Sequence, residues 1–215
     1  MGKLIKIGLT GCIGMGKSTT LKIFEDEGVL TWSADEAVSR LYAKDGKAVL
    51  KVQALTPESV VNNSVSRENL REQVKNRPEI LLSLELIVNP LIKTDRENFL
   101  RSNSQKKAVV LDLPLLFENK MELEFDIIVV VSAPARVQKE RVLSRNTMDI
   151  KLLNIIKSKQ ISDEEKKSRA DFVFETTSIE RTKKDVKEFL KEVGISNARN
   201  CNGHGNYRTR SLPGS

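Results

Sequence analysis

Ile5-Lys6-Ile7-Gly8-Leu9-Thr10-Gly11-Cys12-Ile13-Gly14-Met15-Gly16-Lys17-Ser18-Thr19 is the stretch on which the reading of this chain turns. It opens as a short β-type run, Ile5 to Thr10, and from Gly16 to Glu27 it takes on a helical pattern. Between the two lies a complete GxxxxGK(S/T) pattern, Gly11 to Ser18. Strand, glycine-rich turn and helix in that order are the context in which such a pattern binds phosphate. Glycines let the backbone curl until successive N–H groups point inward, and the helix presents the positive end of its dipole to the same anion. Gly11, Gly14, Met15, Gly16, Lys17, Ser18 and Thr19 are therefore expected to hold ATP. Lys17 would neutralise the β and γ phosphates, and the Ser18 hydroxyl would ligate Mg²⁺.

Outward from this motif the chain alternates strand and helix. Val29 to Trp32, Ala108 to Leu113, Ile127 to Ser132 and Asp171 to Phe174 read as four further strands. Ile127 to Val131 is apolar at every position, as in strands buried on both faces of a parallel sheet. The expected fold is thus α/β, a parallel five-stranded sheet flanked by helices. Asp35 to Ala43 reads as a second helix and Ile179 to Glu192 as the last, with Gly194 as its stop.

Two intervals exceed a plain crossover. Residues 46–105 carry some sixty residues of helical pattern, expected to form an inserted helical subdomain within a single domain spanning 1–195. Residues 136–168, thick with Lys and Arg, are expected to form a helical lid. From Ser196 to Ser215 the chain is rich in Asn, Gly and Arg without periodicity, and reads as a disordered tail.

Composition narrows the function. With 215 residues, 39% hydrophobic and 30% charged, the chain can bury a core without disulfides or structural metal. Cys12 and Cys201 lie far apart with no CxxC spacing, which suits a reducing compartment. No run approaches the roughly 20 apolar residues of a membrane helix, and the first residues lack a signal-peptide pattern, so a cytoplasmic protein without membrane contact is expected. Of the 36 basic residues, three (Arg199, Arg208, Arg210) lie in the tail; the other 33 against 29 acidic leave the body at +4. That is weak grounds for nucleic-acid binding and suits a handler of small anions.

Which reaction follows the phosphate site must be read from other residues. No NKxD-like guanine signature is present, so a GTPase is disfavoured. Asp35 follows the second strand, where the carboxyl ends of parallel strands gather over the ligand crevice. It could accept a substrate hydroxyl proton, and from spacing it could equally cap a helix. Asp112 ends its strand where a carboxylate could hold Mg²⁺ through water, or serve as a buried structural acid. Arg141 and Arg145, four apart on one helix face, could stabilise a transferring phosphoryl group from the lid, or be solvated surface charges.

The assembled motifs resemble the dephospho-coenzyme A kinase family, on the nucleoside-monophosphate-kinase-like P-loop fold. The resemblance rests on Gly8 to Thr19, on Ala34-Asp35-Glu36-Ala37, on Val88-Asn89-Pro90-Leu91-Ile92 and on Leu111 to Glu118. It also rests on Gln160 with Glu164-Glu165-Lys166, and on Arg169-Ala170-Asp171-Phe172-Val173. It runs from about Lys3 to Val193. It implies ATP-dependent phosphorylation of the ribose 3′-hydroxyl of dephospho-coenzyme A, the last step of coenzyme A synthesis. By position it makes Asp35 the base or hydroxyl-orienting residue and lets Lys17 and Arg141 stabilise the phosphoryl group. Arg145 falls in the lid, and the helical insert becomes the substrate-binding part. Two positions depart from the family's usual pattern: Ser33 stands where an aspartate is usual, and Asn89 where a histidine precedes Pro90. The only histidine, His204, lies in the tail, so histidine catalysis in the body is ruled out. Another small-molecule P-loop kinase, acting on a nucleotide or a sugar, and a non-catalytic nucleotide-binding regulator are the alternatives. The sequence leaves oligomeric state undetermined.

Overall fold

The structure, a computed structural model, describes residues 3–144, 153 and 157–195. Along the chain run β1 (Ile5–Thr10), α1 (Lys17–Asp26), β2 (Leu30–Ser33), α2 (Ala34–Tyr42) and α3 (Val49–Leu55). The short strands β3 (Val60–Val61) and β4 (Ser64–Val65) follow, then α4 (Arg67–Asn76), α5 (Ile80–Ser102), β5 (Ala108–Asp112) and β6 (Ile127–Ser132). The described chain closes with α6 (Ala135–Leu143), α7 (Asp163–Arg169), β7 (Phe172–Glu175) and α8 (Ile179–Glu192).

The five expected strands make one sheet, in the order β2-β5-β1-β6-β7. β1 pairs in parallel with β5 on one side and β6 on the other, and β6 pairs in parallel with β7. Every residue of β5 and β6 is buried, which explains their unbroken apolar runs: helices cover both faces, so neither face needs polar residues. Consecutive strands leave β1 in opposite directions across the sheet, which makes its carboxyl end a topological switch point, where α/β sheets open a crevice. The register places Leu9 beside Asp112 and Thr10 beside Val130, so the turn after β1 emerges between the ends of β5 and β6.

The chain divides into two compact units, one built from the residues up to Thr31 and from Gln105 onward, the other from Trp32–Ser104. In the first, α8 lays Val186, Phe189 and Leu190 against the sheet and α1. Four phenylalanines interlock there. Phe189 meets Phe172, Phe174 and Phe24 edge-on at centroid distances of 4.8, 5.7 and 5.9 Å. Burying one such side chain contributes roughly 1.5–3 kcal/mol.

The second unit begins earlier than the expected insert, at Trp32 rather than near residue 46, because α2 packs with α5 and contributes Leu41 to that unit's own core. It is also not wholly helical. β3 and β4 form an antiparallel hairpin whose two turn residues, Asn62 and Asn63, both have positive φ (49° and 58°). Asparagine tolerates that conformation at little cost, as a two-residue hairpin turn of this hand demands. Helix α5 runs unbroken through Pro90. Proline there removes the hydrogen bond to the Leu86 carbonyl, and Leu86 is exposed, so water can satisfy that oxygen.

Candidate active site

The turn from Gly11 to Gly16 curls because Gly14 and Gly16 adopt positive φ, 76° and 87°. Gly11 is fixed by proximity instead: a Cβ there would lie 2.6 Å from the Val131 carbonyl oxygen of β6. Met15 N–H donates to the Cys12 carbonyl at 3.2 Å, and the Met15 side chain is buried in the core. The turn is gripped from outside as well. Ile13 N–H donates to Gln160 Oε1 (3.2 Å), and Gln138 Nε2 donates to the Ile13 carbonyl (2.8 Å). Thr176 Oγ1 donates to the Met15 carbonyl (2.7 Å), and Ala133 N–H approaches Met15 Sδ at 3.1 Å.

What the protein leaves untaken defines the site. Among the described residues, the N–H groups of Gly14, Gly16, Lys17, Ser18 and Thr19 find no protein acceptor. They line the start of α1, where the helix dipole adds partial positive charge. The Ser18 hydroxyl is on an exposed residue in the same turn. Lys17 Nζ lies 2.6 Å from Asp112 Oδ1, a pair whose side chains are 13% and 4% exposed. The sheet register produces this contact, since Asp112 ends β5 beside Leu9 and Lys17 opens the helix that β1 feeds. Asp112 is thus a buried acid paired with the phosphate-site lysine.

Arg141, expected to face a phosphoryl group, is engaged elsewhere in this structure. Its guanidinium donates to Thr176 Oγ1 (3.1 Å) and to the Thr176 carbonyl, just past β7. Since the same hydroxyl holds Met15, Arg141 sits one hydrogen bond away from the phosphate turn. Arg145, with residues 146–152 and 154–156 of the expected lid, lies outside the described residues, as does the expected tail. Of the interval 136–168, residues 136–144 with 153, and then 157–168, are described. The latter are tied to the sheet unit: Lys166, wholly buried, forms an ion pair with Glu118 at 2.8 Å.

Cys12 is buried, and its thiol approaches the Ile161 carbonyl at 3.7 Å. Burial pushes its pKa up, with the nearby Lys166 ammonium opposing. The neutral thiol therefore predominates at neutral pH, so this is a packing residue rather than a nucleophile.

In the Trp32–Ser104 unit, Asp35 lies in the first turn of α2 and is exposed. The helix N-cap is Ser33, so Asp35 does not fill the capping position. Its backbone carbonyl accepts from Ser39 Oγ (2.8 Å) and Arg67 Nη2 (3.4 Å). The same unit carries a groove of about 510 Å³ between α2, α4 and α5. Leu70, Leu84 and Val88 give it an apolar lining, while Arg67, Arg71 and Asn89 add polar groups. Asn89 is therefore a wall residue of a groove. Gln138 and Thr176 had no sequence signal, being single neutral residues in unremarkable contexts. Glu118, Gln160 and Lys166 stood within the motifs that carried the family resemblance, without a role.

The comparisons with known proteins converge. A family model described as dephospho-CoA kinase matches residues 5–181. The dephospho-CoA kinase of Ruegeria pomeroyi is 41% identical over 192 residues, covering 89% of this chain and 97% of that one. That of Bradyrhizobium diazoefficiens is 43% identical over 190 residues, covering 87% and 94%. Among solved structures, TT1252 from Thermus thermophilus matches with a TM-score of 0.75 at 30% identity, covering 89% of this chain and 98% of that one. The dephospho-CoA kinase from Campylobacter jejuni, with a TM-score of 0.64 at 23% identity and coverage of 90% and 98%, shares the fold.

Proposed function

The chain belongs to the dephospho-CoA kinase family, and from that premise we infer that it transfers the terminal phosphoryl group of ATP to dephospho-coenzyme A, at the ribose 3′-hydroxyl, giving coenzyme A and ADP. The observation that carries this reading is the set of unclaimed N–H groups of Gly14, Gly16, Lys17, Ser18 and Thr19 at the start of α1. Such a set is a preorganised receptor for a polyphosphate.

In the reaction the bond between the γ-phosphorus and its bridging oxygen to the β-phosphate breaks, and a bond to the acceptor oxygen forms. The acceptor hydroxyl loses its proton, which we assign to the Asp35 carboxylate. Lys17 exchanges Asp112 for the phosphates and offsets the charge that develops on the bridging oxygen. Arg141 would stabilise the transferring group after leaving Thr176, and Arg145 is assigned to nucleotide binding from its sequence position.

The donor set suits Mg²⁺. The Ser18 hydroxyl and the Asp112 carboxylate are hard oxygen ligands close to Lys17. Among the described residues no group of three or more His, Cys, Asp or Glu side chains could hold a metal alone, so the ion would share its ligands with nucleotide phosphate and water. Held by Ser18 and Asp112, Mg²⁺ would neutralise phosphate charge.

We assign the acceptor to the Trp32–Ser104 unit. The groove between α2, α4 and α5 offers apolar surface to a pantetheine arm and arginines to a pyrophosphate. Among the described residues no helix is long and apolar enough to cross a membrane. A free, buried Cys12 suits the reducing cytoplasm, where we place the reaction.

The test is ADP release from Mg-ATP with dephospho-coenzyme A, adenosine monophosphate, cytidine monophosphate, gluconate or no acceptor. Turnover with dephospho-coenzyme A alone supports the reading. Turnover with a monophosphate or gluconate instead would transfer the site to another small-molecule kinase, and tight ATP binding without any turnover would make it a regulator.

A further inference from the structure

Ile13 is held at both of its peptide groups, and the holder of its N–H is itself held by a buried charge pair. Gln160 accepts from Ile13 N–H at 3.2 Å, while Gln138 donates to the Ile13 carbonyl at 2.8 Å. The next residue along from Gln160, Ile161, donates its N–H to Glu118 Oε1 at 3.0 Å. Glu118 receives Lys166 Nζ on both oxygens, at 2.8 and 3.0 Å, and Lys166 is completely buried. Phe117 backs the assembly: the Lys166 ammonium lies 5.7 Å from its ring centroid and the Arg169 guanidinium 4.6 Å. Ile161 closes the circuit, its carbonyl accepting from the Cys12 thiol at 3.7 Å.

We propose that Glu118, Lys166 and Gln160 are positioning residues for phosphoryl transfer, a clamp that sets the plane of the Ile13 peptide so that the following N–H groups, from Gly14 on, face the phosphates. The proposal rests on the reading of this site as an ATP site. A buried lysine–glutamate pair is costly to desolvate and is a weak source of net stability. Here it carries a further group, because Glu118 Oε1, already bonded to Lys166, also accepts a backbone N–H in the segment that reaches the phosphate turn. Gln160 holds the Cys12–Ile13 peptide, and a turn of that peptide changes φ at Ile13 and swings the next peptide, which carries Gly14 N–H, out of the cradle; donors that must reorient as phosphate binds lose the benefit of preorganisation. The clamp acts on the nucleotide and has no part in acceptor binding.

Two variants separate this role from a structural one. Gln160→Leu removes the acceptor of Ile13 N–H while leaving the charge pair intact. The double variant Glu118→Leu/Lys166→Met removes both charges together, so no unpaired charge is left inside, and it also removes the anchor of Ile161. Binding of a non-hydrolysable ATP analogue and KM for each substrate are measured, with thermal midpoints as the control. The expected result is affinity for the analogue about tenfold weaker in both variants, the scale of one lost hydrogen bond. KM for ATP should rise in step and KM for dephospho-coenzyme A should hold within about twofold. Amide exchange in the wild-type protein gives a variant-free check: Ile13 N–H should be protected relative to Gly14 N–H. Unchanged analogue affinity in a variant, a matching rise in both KM values, or an Ile13 amide as fast as that of Gly14, overturns the clamp. A wild-type protein that binds no ATP analogue would instead overturn the reading of the site itself, and the clamp with it.

Discussion

Lys17 and Asp112 hold each other at 2.6 Å with little exposure, so under the proposed function a nucleotide would have to displace a carboxylate from the lysine before that lysine could serve the phosphates. A polyphosphate carries more charge than one carboxylate, and in the proposed reaction the released Asp112 would become available to a hydrated cation, which would favour the exchange. The Gly-Lys-Ser core of this arrangement was legible in the sequence because its residue types and spacing have few other uses. Asp112 was legible as an acid at a strand end, but its pairing with Lys17 was not, because that follows from the register of β5 with β1. Arg141 shows the opposite limit. Its spacing from Arg145 gave a helix face, yet its partner Thr176 lies 35 positions on, and nothing in the sequence links them. For Asp35, exposed and outside the capping position, Asp35→Asn should slow single-turnover phosphoryl transfer about a hundredfold or more, with ATP affinity and thermal midpoint near those of the parent. A variant of near-parental rate would remove the base assignment.

Helix α5 is the element in which propensity and structure disagree most. Its 23 residues include Pro90, where a helix-interior proline costs roughly 3 kcal/mol relative to alanine in model systems. Pro90→Ala is therefore expected to raise the thermal midpoint, by calorimetry, while raising KM for dephospho-coenzyme A. The second effect follows because Val88, Asn89 and Ile92 beside the proline line the groove assigned to the acceptor. A midpoint that falls instead would show that the proline is packed into its neighbours at a net gain. Elements with strong periodicity were legible to within a residue or two. β6 and α8 match their expected limits, Ile127–Ser132 and Ile179–Glu192, because one is apolar from Ile127 to Val131 and the other closes at Gly194 with a positive φ of 69°. The hairpin of β3 and β4 was hidden. Two-residue strands give no alternation to detect, and Asn62-Asn63 does not match the Asn-Gly turn that signals a hairpin most strongly.

Two units, each with its own core, make up the molecule, and the α/β reading was legible mostly in the first. The boundary at Trp32 was not, because α2 reads the same whether it packs on the sheet or on α5. Trp32, the only tryptophan in the chain, reports on the second unit. Its Nε1 donates to Asp95 Oδ1 at 2.7 Å, and Arg40 Nη2 donates to the same oxygen at 2.6 Å. Burial alone would raise the Asp95 pKa, but the Arg40 and Trp32 hydrogen bonds and the Arg40 charge outweigh it and hold it below the usual range. A carboxylate lowered in the folded state adds stability above its unfolded value of about 3.9 and loses it as pH falls through the folded value. Urea unfolding followed by Trp32 emission should therefore show less loss of stability between pH 6 and pH 3 in Asp95→Asn than in the parent. Equal losses would mean that the pair contributes nothing.

The central question for this protein is where one phosphoryl group goes. The most direct measurement offers purified protein Mg-ATP with dephospho-coenzyme A and, separately, with its 3′-deoxyribose analogue, and reads ADP and product mass together. The predicted result is one ADP for each coenzyme A formed, with a mass gain of one phosphate, and no turnover on the analogue. Phosphorylation of the 3′-deoxy analogue, or ADP release at equal rates with and without acceptor, would contradict it.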